Sequence, residues 1–237
     1  MFYRPGVTEH NLPHDPFKAC VVPRPIGWIS TKNQHGQANL APYSQFNNLT
    51  FDPPYVMFSA NQTVECTRKD TVVNAEQTGR FVWNLATWAL REARAAVTKE
   101  PATLMDVPMV QESPVKFECE YYSTIRLPGS PPMGTVDIVI GKVVAIHISD
   151  EVLTDGLLDI RKTKPIARCG YYQYAVIQDT FDMRIPGMSE DVLYGLEGSM
   201  KKNRAANARA AAQHVMKFLS SSWSNESLSN PHQTGQV

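Results

Sequence analysis

The sequence predicts a mostly β fold: an antiparallel barrel or sandwich with a few short helices and a C-terminal helical extension. Two observations carry this expectation. Stretches such as residues 115–121 alternate apolar and polar side chains with a period of two, the pattern of a strand with one wet face. The strand-like stretches are joined by short turns instead of long helices, which argues against the βαβ units of a parallel sheet. Closing such a sheet into a barrel also removes its unpaired edges.

Taken in order, residues 1–17 are rich in Pro and His and read as an irregular arm. Residues 18–30 have strand composition, but Pro23 and Pro25 are tolerated only at an edge, an end or a bulge. A turn over residues 32–36 leads to a strand over 37–46, and a further strand over 55–60 emerges from Pro53 and Pro54. Residues 71–77 form a short helix, with Asp70 or Thr71 as N-cap and Gly79 as its stop. A strand over 81–85 precedes a helix over 88–99, predicted from its Ala, Leu, Arg and Glu content.

In residues 115–121, Lys116, Glu118 and Glu120 form the wet face opposite Val115, Phe117, Cys119 and Tyr121. Residues 135–149 are more apolar, with Val136, Ile138, Ile140, Val144, Ile146 and Ile148 on one face, and residues 171–178 close the β set. Beyond them, residues 205–219 form an Ala-rich amphipathic helix and the remainder a polar tail. The expected organisation is one domain over 1–187 including the arm, with 188–237 as helix and flexible tail and no separate domain.

Composition narrows the function. The 237 residues, 43% apolar, suffice for one sizeable core. With 23 basic against 23 acidic side chains there is no broad positive field, so neither nucleic acid nor an anionic membrane is the expected partner. No apolar run is long enough to cross a bilayer and the start lacks a signal-like apolar stretch, so the expected location is cytoplasmic. Cys20, Cys66, Cys119 and Cys169 are too far apart for a CxxC site and read as reduced thiols. His10 and His14 are interrupted by Pro13, so no metal is expected. There is no Gly-x-Gly, which excludes a Rossmann fingerprint, and no GxSxG or HExxH to support a hydrolase.

Unusual backbone concentrates in residues 22–60. A Pro-Arg-Pro entry, a turn over 33–36, the Ala-Pro-Tyr-Ser turn and Pro53-Pro54 stand beside Arg24, Ser30, Thr31, Asn39, Tyr43 and Ser44, which marks a loop-lined ligand floor. Two stretches suit an anion: Trp-Ile-Ser-Thr ending at Thr31, and Thr-Arg-Lys-Asp-Thr ending at Thr71. Arg68, Lys69, Thr71 and the helix after Asp70 supply charge, hydroxyl and free N–H groups, although the same run also reads as a solvated loop before a helix.

The runs PHDPFKACVVPRPIGWIST, GQANLAPYSQFNNLTFDPPYVMFSA, TRKDTVVNAEQTGRFVWNLA, ESPVKFECE and PIARCGYYQYAV, in that order, resemble the flavin reductase-like family of FMN-binding split barrels. That group includes flavoredoxin and the reductase components of two-component monooxygenases. The resemblance spans residues 12–187 and implies an FMN-binding antiparallel split β-barrel. It further implies that Asn39, Ala41, Pro42, Tyr43 and Ser44 lie along the isoalloxazine and ribityl chain. Ser30 and Thr31 match the family's Ser-Thr pair, and Ser59 with Ala60 a strand end on the same pocket. Lys69, Asp70 and Thr71 match its phosphate corner, with Asp70 as a helix cap and Arg68 beside them. Arg168 and Tyr171 match a late strand end near the flavin, where Cys169-Gly170 replaces the Gly-Gly of many relatives.

The function so implied is an FMN-dependent reductase in which NADH or NADPH passes hydride to flavin N5 and the reduced flavin serves an acceptor such as a monooxygenase partner. No side chain is assigned a catalytic role. The alternatives are an FMN-holding electron carrier reduced by a partner protein, and a flavin oxidase of the pyridoxamine-oxidase type. A homodimer is expected in either case.

Overall fold

The computed structural model describes residues 1–92, 97–183 and 186–189. The chain divides into two compact units, Met1–Thr180 and Phe181–Val237. The helix expected over 205–219 and the tail after it lie outside the described residues. No helix among the described residues is long and apolar enough to cross a membrane.

The arm leads into one helical turn, α1 (Phe17–Cys20), where the sequence predicts the start of a strand. The Asp15 carboxylate accepts from the Phe17 amide at 2.9 Å, so a local side-chain bond outweighs strand composition. Next come β1 (Arg24–Pro25) and β2 (Gly27–Lys32). Asn33 accepts from the amides of His35 and Gln37 to shape the following turn, and β3 (Ala38–Tyr43) follows. A strand the sequence does not announce, β4 (Phe46–Phe51), precedes β5 (Pro54–Asn61). In β4 only Phe46 is buried, so no alternation marks it.

Helix α2 (Asp70–Thr78) ends on Gly79 with φ of +73°, the left-handed stop expected of a glycine there. Its N-cap position is Lys69, without a side-chain cap, so neither Asp70 nor Thr71 caps it. After β6 (Arg80–Asn84) the described residues of the 88–99 segment are not helical: 88–92 form turns, and Lys99 opens β7 (Lys99–Pro101). Thr87 bridges Pro165, and the Trp88 amide donates to the Lys164 carbonyl at 2.9 Å, tertiary pairing that overrides helix propensity.

The chain continues through β8 (Pro108–Val110), β9 (Val115–Leu127) and β10 (Val136–Ile148). Short elements follow: β11 (Leu153–Thr154), β12 (Leu157–Leu158), α3 (Ile160–Thr163), β13 (Ile166–Gly170) and β14 (Gln173–Val176). The strand predicted over 171–178 starts late because Tyr171, at φ of +47°, belongs to a turn.

Seven strands form one antiparallel sheet in the order β3-β2-β6-β9-β10-β5-β4, and β1-β13-β14 form a second. Strands β3 and β4 stand at opposite ends of that order, yet only Ser44 and Gln45 separate them in sequence. The sheet is thereby curled into a barrel, with the Gln45 carbonyl accepting from the Ser59 amide at 2.8 Å. Pairing between β4 and β5 stops at Phe58, so residues 59–61 have β10 on one side and no strand on the other. The barrel is split there.

Inside it pack Ile29, Phe58, Phe81, Trp83, Cys119 and Val139, with Val72 and Ala75 of α2 closing one end. Phe46 stacks on Trp83 at 5.1 Å between ring centres, and Phe81 meets Phe58 edge-on at 5.4 Å.

Two faces differ from expectation. Lys116 and Glu118, predicted to be wet, are 9% and 0% exposed because the β7–β8 hairpin covers that side. Glu118 accepts from the amides of Thr103 at 2.9 Å and Leu104 at 2.8 Å, and meets His147 Nε2 at 2.7 Å. Burial pushes its carboxyl upward, but these hydrogen bonds outweigh that and hold it below the usual range. In β10 the face bearing Ile146 and Ile148 points outward, while Asp137, Val139, Gly141 and Val143 are buried.

A Cβ on Gly141 would stand 2.4 Å from the ring of the fully buried Phe81. Gly141→Ala is therefore expected to cost about 1–3 kcal/mol through overpacking, read as a lower urea midpoint. An unchanged midpoint would mean that Phe81 moves aside freely.

Candidate functional site at the open edge of β3

Strand β3 ends the seven-stranded sheet, and that position explains Pro42: without an N–H it fits a ladder only where the missing donor faces open space. Register agrees. Trp28 and Ser30 of β2 pair with Asn84 and Val82 of β6, so their neighbours Gly27, Ile29 and Thr31 serve β3 through Tyr43, Ala41 and Asn39. The peptide groups of Leu40 and Pro42 consequently face the open side.

Alternation also divides the side chains of β3 between two faces. Asn39, Ala41 and Tyr43 turn toward the barrel and α2. Asn39 Nδ2 donates to Thr71 Oγ1 at 2.7 Å, and the Tyr43 phenol also bonds Thr71. Burial pushes that phenol up, the Thr71 bond opposes this, and the nearby Asp70 charge adds to the rise, so the Tyr43 phenol stays neutral. The Val72 amide already turns back to the Lys69 carbonyl at 2.9 Å, which leaves the amides of Asp70 and Thr71 without an intrahelical acceptor, and the exposed Lys69 stands at the uncapped start of α2.

On the outer face, Ser30, Ala38, Leu40, Lys99 and Val110 line a cavity of about 280 Å³. It meets, at Leu40, a second of about 410 Å³ lined by Trp28, Pro42, Ser44, Arg91, Arg168 and Tyr174 among others. Asn84 fixes this region: fully buried, it donates to the Trp28 carbonyl and Ser30 Oγ, both at 3.1 Å, and accepts from the Val110 amide at 2.8 Å. Arg24 holds the corner, donating through Nε to the Ser44 carbonyl at 3.1 Å and through Nη1 to those of Lys18, Val21 and Cys169.

The structure thus gathers Ser30, Asn39, Ala41, Pro42, Tyr43, Ser44, Lys69, Asp70, Thr71 and Arg168 around β3. Ser59 and Ala60 lie where β5 outruns β4, close to β3. Three predicted residues are directed elsewhere. Thr31 is fully buried and accepts from Asn74 Nδ2 at 3.1 Å, so it anchors α2. The ring of Tyr171 packs on His14 with centres 5.5 Å apart, and Tyr174 lines the cavity instead. Arg68 grips Glu76 through two bonds of 2.6 Å and Asp137 at 2.8 Å, which removes it from the anion corner. Sequence reading overlooked Trp28, Leu40, Asn84, Arg91 and Tyr174. The period-two alternation would have exposed Trp28 from Ser30 and Leu40 from Pro42; the others depend on distant packing.

Barrel, split and open proline-bearing edge define an antiparallel split barrel. The model of the flavin reductase-like domain matches residues 19–167, and the chain belongs to that family. An uncharacterised protein of Halalkalibacterium halodurans is 29% identical over 188 residues, covering 73% of this chain and 90% of its own. The crystal structure of nitrilotriacetate monooxygenase component B from Bacillus cereus superposes with a TM-score of 0.70 at 26% identity, covering 77% of this chain and 99% of that one. Flavoredoxin of Desulfovibrio vulgaris (Miyazaki F) shares the fold, with a TM-score of 0.61 at 17% identity over 79% of this chain and 99% of that one.

Asp137, 2% exposed, also binds Arg126 Nε at 2.8 Å. Burial pushes its carboxyl up, but the two guanidinium groups outweigh this and hold it below its ordinary value. A depressed folded pKa gives stability that is complete above the unfolded value, about 4, and is lost as pH falls through the folded one. Asp137→Asn is expected to be less stable at neutral pH and to show a shallower loss between about pH 5 and 3 in denaturant titrations. Parallel losses in both chains would remove Asp137 from the acid response.

Proposed function

We propose that the chain is an FMN-dependent reductase that takes electrons from NADH or NADPH. The observation that carries this is the meeting of an open, proline-bearing β3 edge with the uncapped start of α2 across the split. One end offers backbone amides and the Lys69 charge for a phosphate; the other offers unpaired peptide groups and apolar walls for a flat ring. From Asn39 to Ser44, at about 3.3 Å per residue, the edge runs about 17 Å, a length suited to an elongated mononucleotide.

On this reading Lys69 and the amides of Asp70 and Thr71 hold the FMN phosphate, while Asn39 and Tyr43 fix the Thr71 hydroxyl. Leu40, Pro42 and Ser44 address the ring edge, and Ser59 and Ala60 line the opposite bank. Bound FMN supplies the redox chemistry, accepting hydride at N5, so no protein acid or base is required. The acceptor is a monooxygenase partner or another oxidant. The reading includes a two-fold dimer, supported by the outward apolar face of β10, with light scattering as its check. Flavoredoxin's shared fold supports a second reading, an FMN electron carrier reduced by a partner protein.

Purified chain loaded with FMN should be yellow and should bleach anaerobically with NADH or NADPH. A yellow protein that neither nucleotide bleaches favours the carrier. Lys69→Ala is expected to weaken FMN by about 1.5–3 kcal/mol, the scale of a charge-assisted hydrogen bond, and to leave riboflavin nearly unaffected. Equal losses for both ligands would take Lys69 out of the phosphate site.

A further inference from the structure

The cavity of about 410 Å³ on the outer face of β2 and β3 carries positive charge that no described residue lining it balances. Trp28, Leu40 and Ile166 give it apolar walls, Arg91, Arg168 and Tyr174 its polar ones, and among the described residues no carboxylate lines it. The Arg168 guanidinium donates to Tyr174 Oη at 2.6 Å and to the Tyr171 carbonyl, both neutral acceptors, and lies 4.7 Å from the centre of the Tyr174 ring.

Arg24 stands directly opposite Arg168 in the β1–β13 pair and is likewise bonded to carbonyl groups. Like charges so opposed are unfavourable. Arg91 lies 3.8 Å from the centre of the Trp88 ring, and its ion partner Glu92, at 3.6 Å, has a side chain 80% exposed, too open to water to neutralise it.

Uncompensated guanidinium groups beside an apolar slot recognise one kind of molecule: a flat ring for the walls and an anion for the arginines. We propose that this cavity binds an aromatic or heteroaromatic ring bearing a carboxylate or phosphate, as the second ligand of the site. The ring lies on Trp28 and Leu40, and the anion faces Arg91 and Arg168. That this ligand adjoins a flavin rests on the proposed function; the chemistry of the cavity does not. The volume admits a ring system of drug-like size, and the shared anionic character leaves two sources, an aromatic acid or the nicotinamide nucleotide of the donor.

Calorimetric titration of the full chain, with and without saturating FMN, decides this with three probes: 2-naphthoate, nicotinamide mononucleotide and the neutral 2-naphthylmethanol. At least one anion is expected to bind about ten-fold or more tighter than the alcohol, a difference of about 1.4 kcal/mol. The better anion identifies the source. Arg91→Gln and Arg168→Gln should each weaken it about 5- to 20-fold, and Arg168→Lys should retain most of the affinity. Equal binding of acid and alcohol, indifference to both glutamine substitutions, or release of FMN in step with the added anion would overturn the proposal. FMN affinity is followed separately by flavin fluorescence. If FMN does not bind, the reductase reading falls while the titration without it still decides the cavity.

Discussion

Everything around the site depends on the way the chain turns the corner between β3 and β4. Within Ser44 and Gln45 it leaves the ladder with β2 and enters the ladder with β5, so the two ends of a seven-stranded sheet are joined by covalent chain and not by hydrogen bonds. The corner would be a weak point without Arg24, whose guanidinium ties the Ser44 carbonyl to the arm and to β13. Because closure is made by this corner alone, the rest of β3 stays unpaired on one side. The end of β5 overhangs, and α2 is drawn in to cover the barrel. The gap is thus a geometric result of how the barrel closes.

Buried charge positions the walls. Glu118 and Asp137 are both almost withdrawn from water, and both are held ionised by donors converging from other elements. Glu118 pins the loop between β7 and β8, and Lys116 meets Glu100 of β7 at 2.5 Å. Lys32 reaches Asp106 at 2.7 Å, securing the same loop from the end of β2. These links hold Lys99 and Val110 against Ser30 and Leu40, and so set the width of the smaller outer cavity.

The class of fold and the middle of the site were legible because they follow from local pattern: prolines that forbid a central ladder, period-two alternation, and a glycine that stops α2. What could not be read was decided by distant partners. The segment that Trp88 opens has helix composition, but Thr87 and Trp88 at its start are captured by Pro165 and Lys164. Strand β4 has no alternation because only Phe46 faces the core. The wet face assigned to Lys116 and Glu118 becomes interior once a hairpin folds over it. Within the site, Arg68 looked like an anion binder on charge alone, and two acids from elsewhere in the chain claim it.

Pro42 has one more effect. A free β edge is normally a template on which another extended chain can add, and uninterrupted edges invite chain-to-chain pairing. Along β3 the outward peptide groups offer a donor and an acceptor at Leu40 but only an acceptor at Pro42. An incoming strand would lose one rung there, whereas a small molecule need only present a hydrogen opposite the Pro42 carbonyl. The same residue therefore makes the edge inhospitable to polypeptide and gives it a directional polarity that a compact ligand can match.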